Sequence, residues 1–271
     1  MTRHVAVRLV LLGAAWAAAA AAASAQSGAI VPARSEDLED FRVELTAGAW
    51  LPDTRGSFST SGFRVDLKSD LALERSGPQF WGKLVLKPSR RHGIVVEGIP
   101  YRLEGTSVLA RDIEFAGTRY RVQDRVTSVA RLDYVFGGYE YDVIHRSGGH
   151  LGLAGGVGYI DVEATARSQT FAVTGQTSAR APFPLAGVDF RLFPIAGSSL
   201  LSISGELKGM SFGDLGRYLQ GAVHGGVGLG RHLTLRVGYA VLDADVHTGS
   251  GTQALHPRFQ GPVFSVQVRD R

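Results

Sequence analysis

The sequence predicts an all-β protein that forms a single antiparallel transmembrane β-barrel, of ten strands with eight or twelve as alternatives. Apolar and polar residues alternate with a period of two through most of the chain, which is typical of strands with one apolar face. Segments of about ten residues recur, the length that a tilted strand needs to cross a bilayer. Short turns alternate with longer polar connections, an arrangement that places all the short turns on one rim of a barrel.

The N-terminal residues predict export from the cytoplasm. Arg3 and Arg8 precede an alanine-rich apolar run that ends at an Ala-Ser-Ala sequence. We interpret residues 1–25 as a cleaved secretory signal peptide, with an uncleaved anchor helix as the alternative. Residues 26–40 are then a short periplasmic N-terminal segment, and residues 41–271 form the barrel.

The composition excludes several classes of function. The signal peptide holds two basic and no acidic residues, so the formal net charge of +4 falls by two on cleavage. Basic and acidic residues alternate without a concentrated basic patch, which argues against a nucleic-acid partner. Cysteine is absent, which excludes disulfides, thiolate metal sites and a cysteine nucleophile. Glycine accounts for 35 of 271 residues and falls inside strands, where it suits the bends of a curved sheet.

The ten predicted strands cover residues 41–51, 79–88, 93–104, 120–144, 149–164, 183–193, 200–211, 217–229, 233–245 and 258–268. The first shows the alternation clearly, because Val43 and Leu45 lie on one face while Arg42 and Glu44 lie on the other. A soluble sheet would turn the apolar face toward a core, and a membrane barrel would turn it toward lipid. No predicted helix or second sheet remains to cover these apolar faces, which favours lipid.

The later strands repeat this pattern with charges on the inner face. The second strand sets Lys83 and Lys87 opposite apolar residues, and the third contains Pro100, which we interpret as a bulge. The fourth places Ala130, Leu132, Tyr134 and Phe136 opposite Arg131 and Asp133, with a second bulge expected at residues 137–138 where the phase shifts. Inner charges in the remaining strands are Asp189, Arg191, Glu206, Lys208 and Arg236.

The connections also follow the barrel pattern. Tight turns are predicted at residues 89–93, 145–150, 194–199 and 230–232, and long polar loops at 52–78, 165–181 and 243–256. Residues 63–67 are expected to form β-structure in the first loop. The third and fourth strands are expected to continue above the membrane and to turn near residues 116–119. Both chain ends then lie at the periplasmic rim.

Several short stretches resemble those of a small, largely uncharacterised group of outer-membrane β-barrel proteins from Gram-negative bacteria. They read VDLKSDLAL (65–73), RRHG (90–93), IEFAGTRY (113–120), GYEY (138–141) and GPVF (261–264). The resemblance covers nearly all of the exported chain and implies the barrel fold, and it assigns no catalytic residue. The chain departs from the pattern at its end, because such barrels commonly finish on an aromatic residue and this one finishes VFSVQVRDR.

A charge network in the lumen is the main candidate site. Its predicted members are Arg42, Glu44, Lys83, Lys87, Arg131, Asp133, Asp189, Arg191, Glu206, Lys208 and Arg236, together with Glu97 and His224. Buried charges need partners, and a ten-stranded barrel is narrow enough for side chains to fill much of its interior. The network therefore predicts a plugged interior, with a narrow polar channel as the alternative.

A second cluster is expected near the outer rim. Asp243, Asp245 and His247 share one strand face, and two carboxylates with an imidazole can bind a cation or activate water. Such residues also mark the place where a strand leaves lipid, so neither a metal site nor a catalytic residue is assigned. The glycine-rich stretches at 155–158 and 225–230 precede no helix, which argues against a phosphate site.

These observations predict a non-enzymatic outer-membrane barrel that serves as a narrow pore for small solutes or as a structural and surface-interaction protein. The alternatives are a barrel enzyme acting on lipid A or phospholipid and a soluble lipid carrier; the mid-strand charges argue against the carrier. No cofactor is expected. The expected partners are outer-membrane lipids, lipopolysaccharide and the barrel-assembly machinery, and the protein is expected to be a monomer.

Overall fold

The structure is a computed structural model that describes residues 37–60, 63–66, 77–211, 216–247 and 253–270. The predicted signal peptide and most of the predicted periplasmic segment lie outside the described residues. Within these ranges, no helix is long and apolar enough to cross a membrane.

Ten strands form a closed antiparallel barrel, which confirms the predicted fold class. In barrel order they are β1 (Val43–Trp50), β4 (Gln79–Ser89), β5 (His92–Val108), β8 (Arg125–Arg146), β9 (Gly149–Ser168), β10 (Thr174–Leu192), β11 (Leu201–Ser211), β12 (Gly216–Leu229), β13 (Leu233–His247) and β14 (Gln253–Arg269). Each strand pairs with its neighbour, and β14 pairs with β1 from Arg269 opposite Glu44 to Val263 opposite Trp50. Closure removes both edges of the sheet, so the backbone polar groups of the barrel strands are satisfied without water.

Two hairpins extend the barrel at one end. Strands β2 (Asp53–Thr60) and β3 (Phe63–Asp66) form the first, and β2 continues the sheet beside β14. Strands β6 (Ile113–Phe115) and β7 (Thr118–Tyr120) form the second. Its turn residues Ala116 and Gly117 both have positive φ angles, 52° and 73°, which is the geometry of a type I′ turn. The chain therefore turns at residues 116–117, near the predicted place, but as a separate hairpin between β5 and β8.

The four short turns all lie at the other end of the barrel. They join β4 to β5, β8 to β9, β10 to β11 and β12 to β13, and both described chain ends lie beside them. We call this end the turn rim and the opposite end the loop rim. The predicted alternation of short turns and longer connections is therefore present in the structure.

Outward residues form an apolar belt around the barrel. Phe80, Leu153, Val223, Val237 and Phe264 are each about half exposed or more, at 63%, 50%, 57%, 53% and 49%. Outward-facing apolar side chains that nothing in the protein covers fit a surface in contact with lipid. The apolar strand faces therefore point outward, as the sequence predicts.

Strand β8 differs from its prediction. Its pairing with β5 and β9 runs without interruption past Pro100 and through residues 137–138, so neither expected bulge forms. The register instead shifts between Leu86 and Ser89 in β4 and between Asp142 and Ile144 in β8. Because β8 keeps one phase from Val126 to Asp142, its even-numbered residues all point inward and its odd-numbered residues outward.

Near the loop rim, some strands also extend further than predicted. Residues 165–181 were expected to be a loop, but β9 runs to Ser168 and β10 begins at Thr174. Thr165 pairs with Gln176 and Tyr159 with Pro182 in a continuous ladder. The polar composition of this stretch reflects strands that stand above the lipid, where both faces of a strand can be polar.

The loop-side half of the lumen is filled by aromatic and aliphatic side chains. Trp50 packs edge-on against Tyr101 with ring centroids 5.4 Å apart, and Tyr134 stacks on Tyr218 at 5.7 Å. Phe136 also points inward and is 1% exposed. Inward-facing glycines make room for these rings: a Cβ atom at Gly156 would lie 2.9 Å from the Phe136 ring and 2.3 Å from a backbone oxygen.

Candidate functional site

Ion pairs fill the half of the lumen nearer the turn rim. Lys83 binds Glu206 at 2.7 Å, and Lys87 binds Asp142 at 2.7 Å with both side chains almost fully buried. Lys208 forms ion pairs with Glu97 and with Glu206, and it lies 5.0 Å from the centre of the Phe136 ring. Buried charges are tolerated only where such partners satisfy them.

The structure brings most of the predicted network together. Members that face the lumen are Glu44, Lys83, Lys87, Asp189, Arg191, Glu206, Lys208 and Arg236, with Glu97 and His224. Three predicted members lie elsewhere, because Arg42 is exposed before β1 begins and Arg131 and Asp133 point outward from β8. Arg131 faces Glu163 on the outer surface of the barrel. The uninterrupted phase of β8 explains this difference.

The residues before β1 close the turn rim. The carboxylate of Glu39 is 0% exposed, accepts hydrogen bonds from Arg191 and contacts Nδ1 of His150 at 3.0 Å. Burial alone would raise the pKa of Glu39, but the charges of Arg191 and Arg269 and the contact with His150 lower it well below its usual range. Phe41 lies between the cationic groups of Lys87 and Arg269, at 4.9 and 5.0 Å from its ring centre. This segment therefore acts as a short plug.

Five ionisable side chains that face the lumen were not predicted from the sequence: Glu39, Glu140, Asp142, His150 and Arg269. Strict period-two alternation along β8, without the assumed bulge, would have placed Glu140 and Asp142 inward. Alternation along β9 and β14 likewise places His150 and Arg269 inward. Glu39 precedes the barrel, so no strand periodicity could have located it.

Side chains leave little open space inside the barrel. Two cavities of about 30 Å³ each are found among the described residues, and Trp81, Glu206 and His224 line both. Each has room for about one or two water molecules. The two nitrogens of His224 and the indole nitrogen of Trp81 have no hydrogen-bond partner among the described residues, so waters here would satisfy them.

The predicted rim cluster does not form a catalytic arrangement among the described side chains. Asp243 points outward between Arg217 at 3.7 Å and Arg258 at 3.9 Å, and Asp245 binds His256 at 2.8 Å. The side chain of His247 lies outside the described residues. Asp243 and Asp245 thus face the outer surface just above the apolar belt.

Four strands rise above the apolar belt as one wall. The wall comprises residues 102–108, 125–133, 161–168 and 174–181 of β5, β8, β9 and β10. About eight residues per strand at roughly 3.3 Å each give a wall about 25 Å long along the strands. Its outer face carries ion pairs such as Arg180 with Asp161 at 2.9 Å, which mark its separation from lipid.

The β6–β7 hairpin is packed firmly against this wall. Ile113, Phe115 and Tyr120 are buried with Val126 and Ala166 in the apolar core that continues into the lumen. The hydroxyl of Tyr120 donates to the backbone oxygen of Ala166 at 2.7 Å and accepts from the backbone N–H of Gly175, also at 2.7 Å. Burial raises the pKa of Tyr120, so the hydroxyl stays neutral and can fill both roles. The wall and hairpin therefore form one folded unit at the loop rim.

The fold was compared with known proteins. No protein-family model matches the chain, and no curated protein sequence matches it. Among solved structures, the outer membrane protease OmpT from Escherichia coli superimposes with a TM-score of 0.57 at 10% identity, over 91% of this chain and 100% of OmpT. The chain is a barrel of the outer-membrane type.

Two further solved structures match this barrel less well. The transport unit of the autotransporter AIDA-I from Escherichia coli has a TM-score of 0.44 at 9% identity, over 92% of this chain and 94% of that one. The attachment invasion locus protein Ail of Yersinia pestis, in complex with the heparin analogue sucrose octasulfate, has a TM-score of 0.38 at 11% identity, over 83% and 98%.

The comparison corrects one prediction about this barrel. The protein was predicted not to be an enzyme because the sequence assigns no catalytic residue; that prediction is wrong as an exclusion, because OmpT is a protease with a similar fold. At 10% identity the likeness shows the fold alone, so the activity of OmpT does not transfer to this chain.

Proposed function

We propose that the protein is a surface-interaction barrel in the outer membrane of a Gram-negative bacterium, to which a cleaved signal peptide delivers it. In this proposal the barrel anchors the wall and the β6–β7 hairpin outside the cell, and the turn rim faces the periplasm. Lipids and lipopolysaccharide contact the apolar belt, and the barrel-assembly machinery inserts the chain as a monomer.

The observation that carries this proposal is the closure of the lumen. Aromatic rings fill its loop-side half, buried ion pairs fill its turn-side half, and Glu39 and Phe41 cover the turn rim. The two cavities that the described lumen residues line measure about 30 Å³ each, which is room for water and too little for a larger solute. A barrel whose interior is filled presents its functional surface at its rim, and the wall is the largest structure that the described residues form there.

Single-channel recording separates this proposal from a narrow pore. The protein, expressed from its full-length sequence and purified from membranes in detergent, is inserted into planar bilayers after heat-modifiable gel migration shows that it is folded. We expect no discrete conductance steps. Steps whose ion preference changes in Lys83→Glu but not in Arg131→Glu would contradict the proposal, because Lys83 faces the lumen and Arg131 faces outward.

Proteolysis of intact cells tests the orientation. Arg119 in the hairpin has its side chain 72% exposed, and Arg90 at a short turn has its side chain 69% exposed, so trypsin can reach both in a permeable cell. We expect trypsin added to intact cells to cleave at Arg119 and to spare Arg90. Cleavage at Arg90 first would place the turn rim outside and overturn the proposed topology.

A further inference from the structure

Three adjacent strands bring one histidine and two carboxylates together inside the barrel. Glu140 points inward from β8, His150 from β9 and Asp189 from β10, and one potential ligand atom from each lies within 4.8 Å of the other two. Nε2 of His150 is 2.7 Å from a carboxylate oxygen of Asp189. One imidazole with two carboxylates is a donor set that first-row divalent metal ions favour.

The carboxylate of Glu140 is the least satisfied charge in the lumen. Glu140 is 4% exposed, yet it makes no hydrogen bond or ion pair with any residue that the structure describes. Oδ1 of Asp189 is also buried without a partner. A buried carboxylate without a partner is costly, so a group of opposite charge at this position would stabilise both side chains.

The other lumen carboxylates differ because each has a cationic partner. Glu206 and Glu97 bind Lys83 and Lys208, Asp142 binds Lys87, and Glu44 binds Arg191 and Arg269. Among the described residues, Glu140 therefore lacks an ion pair, and Asp189 contacts His150 through Oδ2 while its Oδ1 has no partner.

Nδ1 of His150 faces a carboxylate, as the nitrogen that does not bind the metal commonly does in metal sites. Nδ1 contacts the carboxylate of Glu39 at 3.0 Å, and Arg191 fixes Glu39 by an ion pair at 3.2 Å. Nε2 contacts Oδ2 of Asp189 at 2.7 Å, so a metal ion bound to Nε2 and Asp189 would replace that hydrogen bond while Nδ1 donates to Glu39. A carboxylate behind a metal-binding histidine is the usual second-shell arrangement.

The surroundings leave space for an ion. Gly152 on β9 pairs with Asp189 on β10, and a Cβ atom at Gly152 would lie 2.6 Å from Oδ1 of Asp189. His150 and Asp189 also line one of the cavities of about 30 Å³, which has room for a water as a fourth ligand. Three arginine and lysine side chains line this cavity: Lys83 and Arg191 form ion pairs with Glu206 and Glu44, and Arg236 donates to Ser204 at 2.8 Å.

We propose that Glu140, His150 and Asp189 bind one first-row divalent metal ion, with Zn²⁺ as the representative, in the turn-side half of the lumen. The ion links β8, β9 and β10, and through His150 and Glu39 it links them to the plug segment before β1. Metal binding therefore stabilises the closed form of the barrel.

Calorimetry and cobalt spectroscopy test this proposal on the folded protein after chelator treatment. We expect Zn²⁺ to bind with a stoichiometry of one and to slow thermal unfolding, and Co²⁺ to give visible absorption bands of a nitrogen- and oxygen-bound ion. Glu140→Gln should weaken Zn²⁺ binding by about tenfold or more and remove the cobalt bands. Glu39→Gln should weaken binding by about 10- to 100-fold, as expected for a second-shell carboxylate.

Glu163→Gln is the matched control, because Glu163 lies on β9 but points to the outer surface. It should bind Zn²⁺ as the unmodified protein does. Asp189→Asn provides a second test if Glu140→Gln does not give a heat-modifiable barrel. The proposal is overturned if the unmodified protein shows no saturable binding of Zn²⁺ or Co²⁺, or if Glu140→Gln and Asp189→Asn bind as tightly as Glu163→Gln.

Discussion

The pair formed by Lys87 and Asp142 should dominate the stability of the turn-side lumen. Their charged atoms lie 2.7 Å apart, and the two side chains are 2% and 1% exposed. Lys87→Met keeps most of the side-chain volume but leaves Asp142 with His145 as its remaining contact, at 3.2 Å. Removing one partner of a buried pair costs about 3–5 kcal/mol. Loss of the cation–π contact with Phe41 adds about 1 kcal/mol.

The measurement is the rate at which the heat-modifiable band is lost in detergent at a fixed temperature. A cost of about 3 kcal/mol corresponds to a change of more than about 100-fold if it appears in the unfolding rate. Arg180→Met is the matched control, because Arg180 and Asp161 lie 2.9 Å apart but are 44% and 28% exposed. An exposed pair contributes about 0–1 kcal/mol, so this variant should unfold at nearly the original rate.

A double variant distinguishes loss of a partner from loss of packing. Lys87→Met combined with Asp142→Asn leaves no unpaired charge, so it should recover most of the stability lost in Lys87→Met alone. The reasoning fails if Lys87→Met and Arg180→Met unfold equally fast, or if the double variant is no more stable than the single one.

Three further outcomes follow from the geometry. Gly156→Ala should destabilise the barrel by about 1–3 kcal/mol because its Cβ would meet backbone and the Phe136 ring, whereas Gly155→Ala, with open space around it, should be nearly neutral in the same unfolding assay. Tyr120→Phe removes both hydrogen bonds of the hairpin hydroxyl, so trypsin should cleave faster between β5 and β8 while the barrel remains heat-modifiable. Tyr159→Phe lies on the exposed outer face and should not change the cleavage rate. The pKa of Glu39 is lowered in the folded state, so its ionised carboxylate stabilises the protein at neutral pH, and this stabilisation is lost as the pH falls below the ordinary value of about 4.5. The unfolding rate of Glu39→Gln should therefore depend less on acid than that of the unmodified protein. An unchanged acid dependence would contradict this role.

The barrel itself was predictable because closure imposes simple rules on the chain. Each of the ten predicted segments overlaps one barrel strand, and the short turns fall where predicted. Strand ends were less predictable, since β9 and β10 continue above the lipid through residues that look like a polar loop. Lumen charges such as Lys83 and Asp189 were found by alternation, whereas Glu39 reaches the lumen from outside any strand and could be located only in the structure.

The misreading of β8 shows why polarity alone does not identify the inner face of a barrel strand. Near the turn rim the outer face of β8 carries Tyr139 and Tyr141, and the inner face carries Glu140 and Asp142. Near the loop rim the inner face carries aromatic rings, and the outer face carries charges.

This reversal of polarity has a physical cause. Below the lipid boundary the surroundings of the barrel are apolar and its lumen holds ion pairs. Above the boundary the surroundings are water, so charges turn outward, and inward side chains such as Tyr101 and Val126 form a core as in a soluble sheet. An inversion of polarity with unchanged period therefore marks the depth at which a strand leaves lipid, whereas a bulge would change the register itself. On the outer face of β8 that point lies between Asp133 and Val135, where the wall begins.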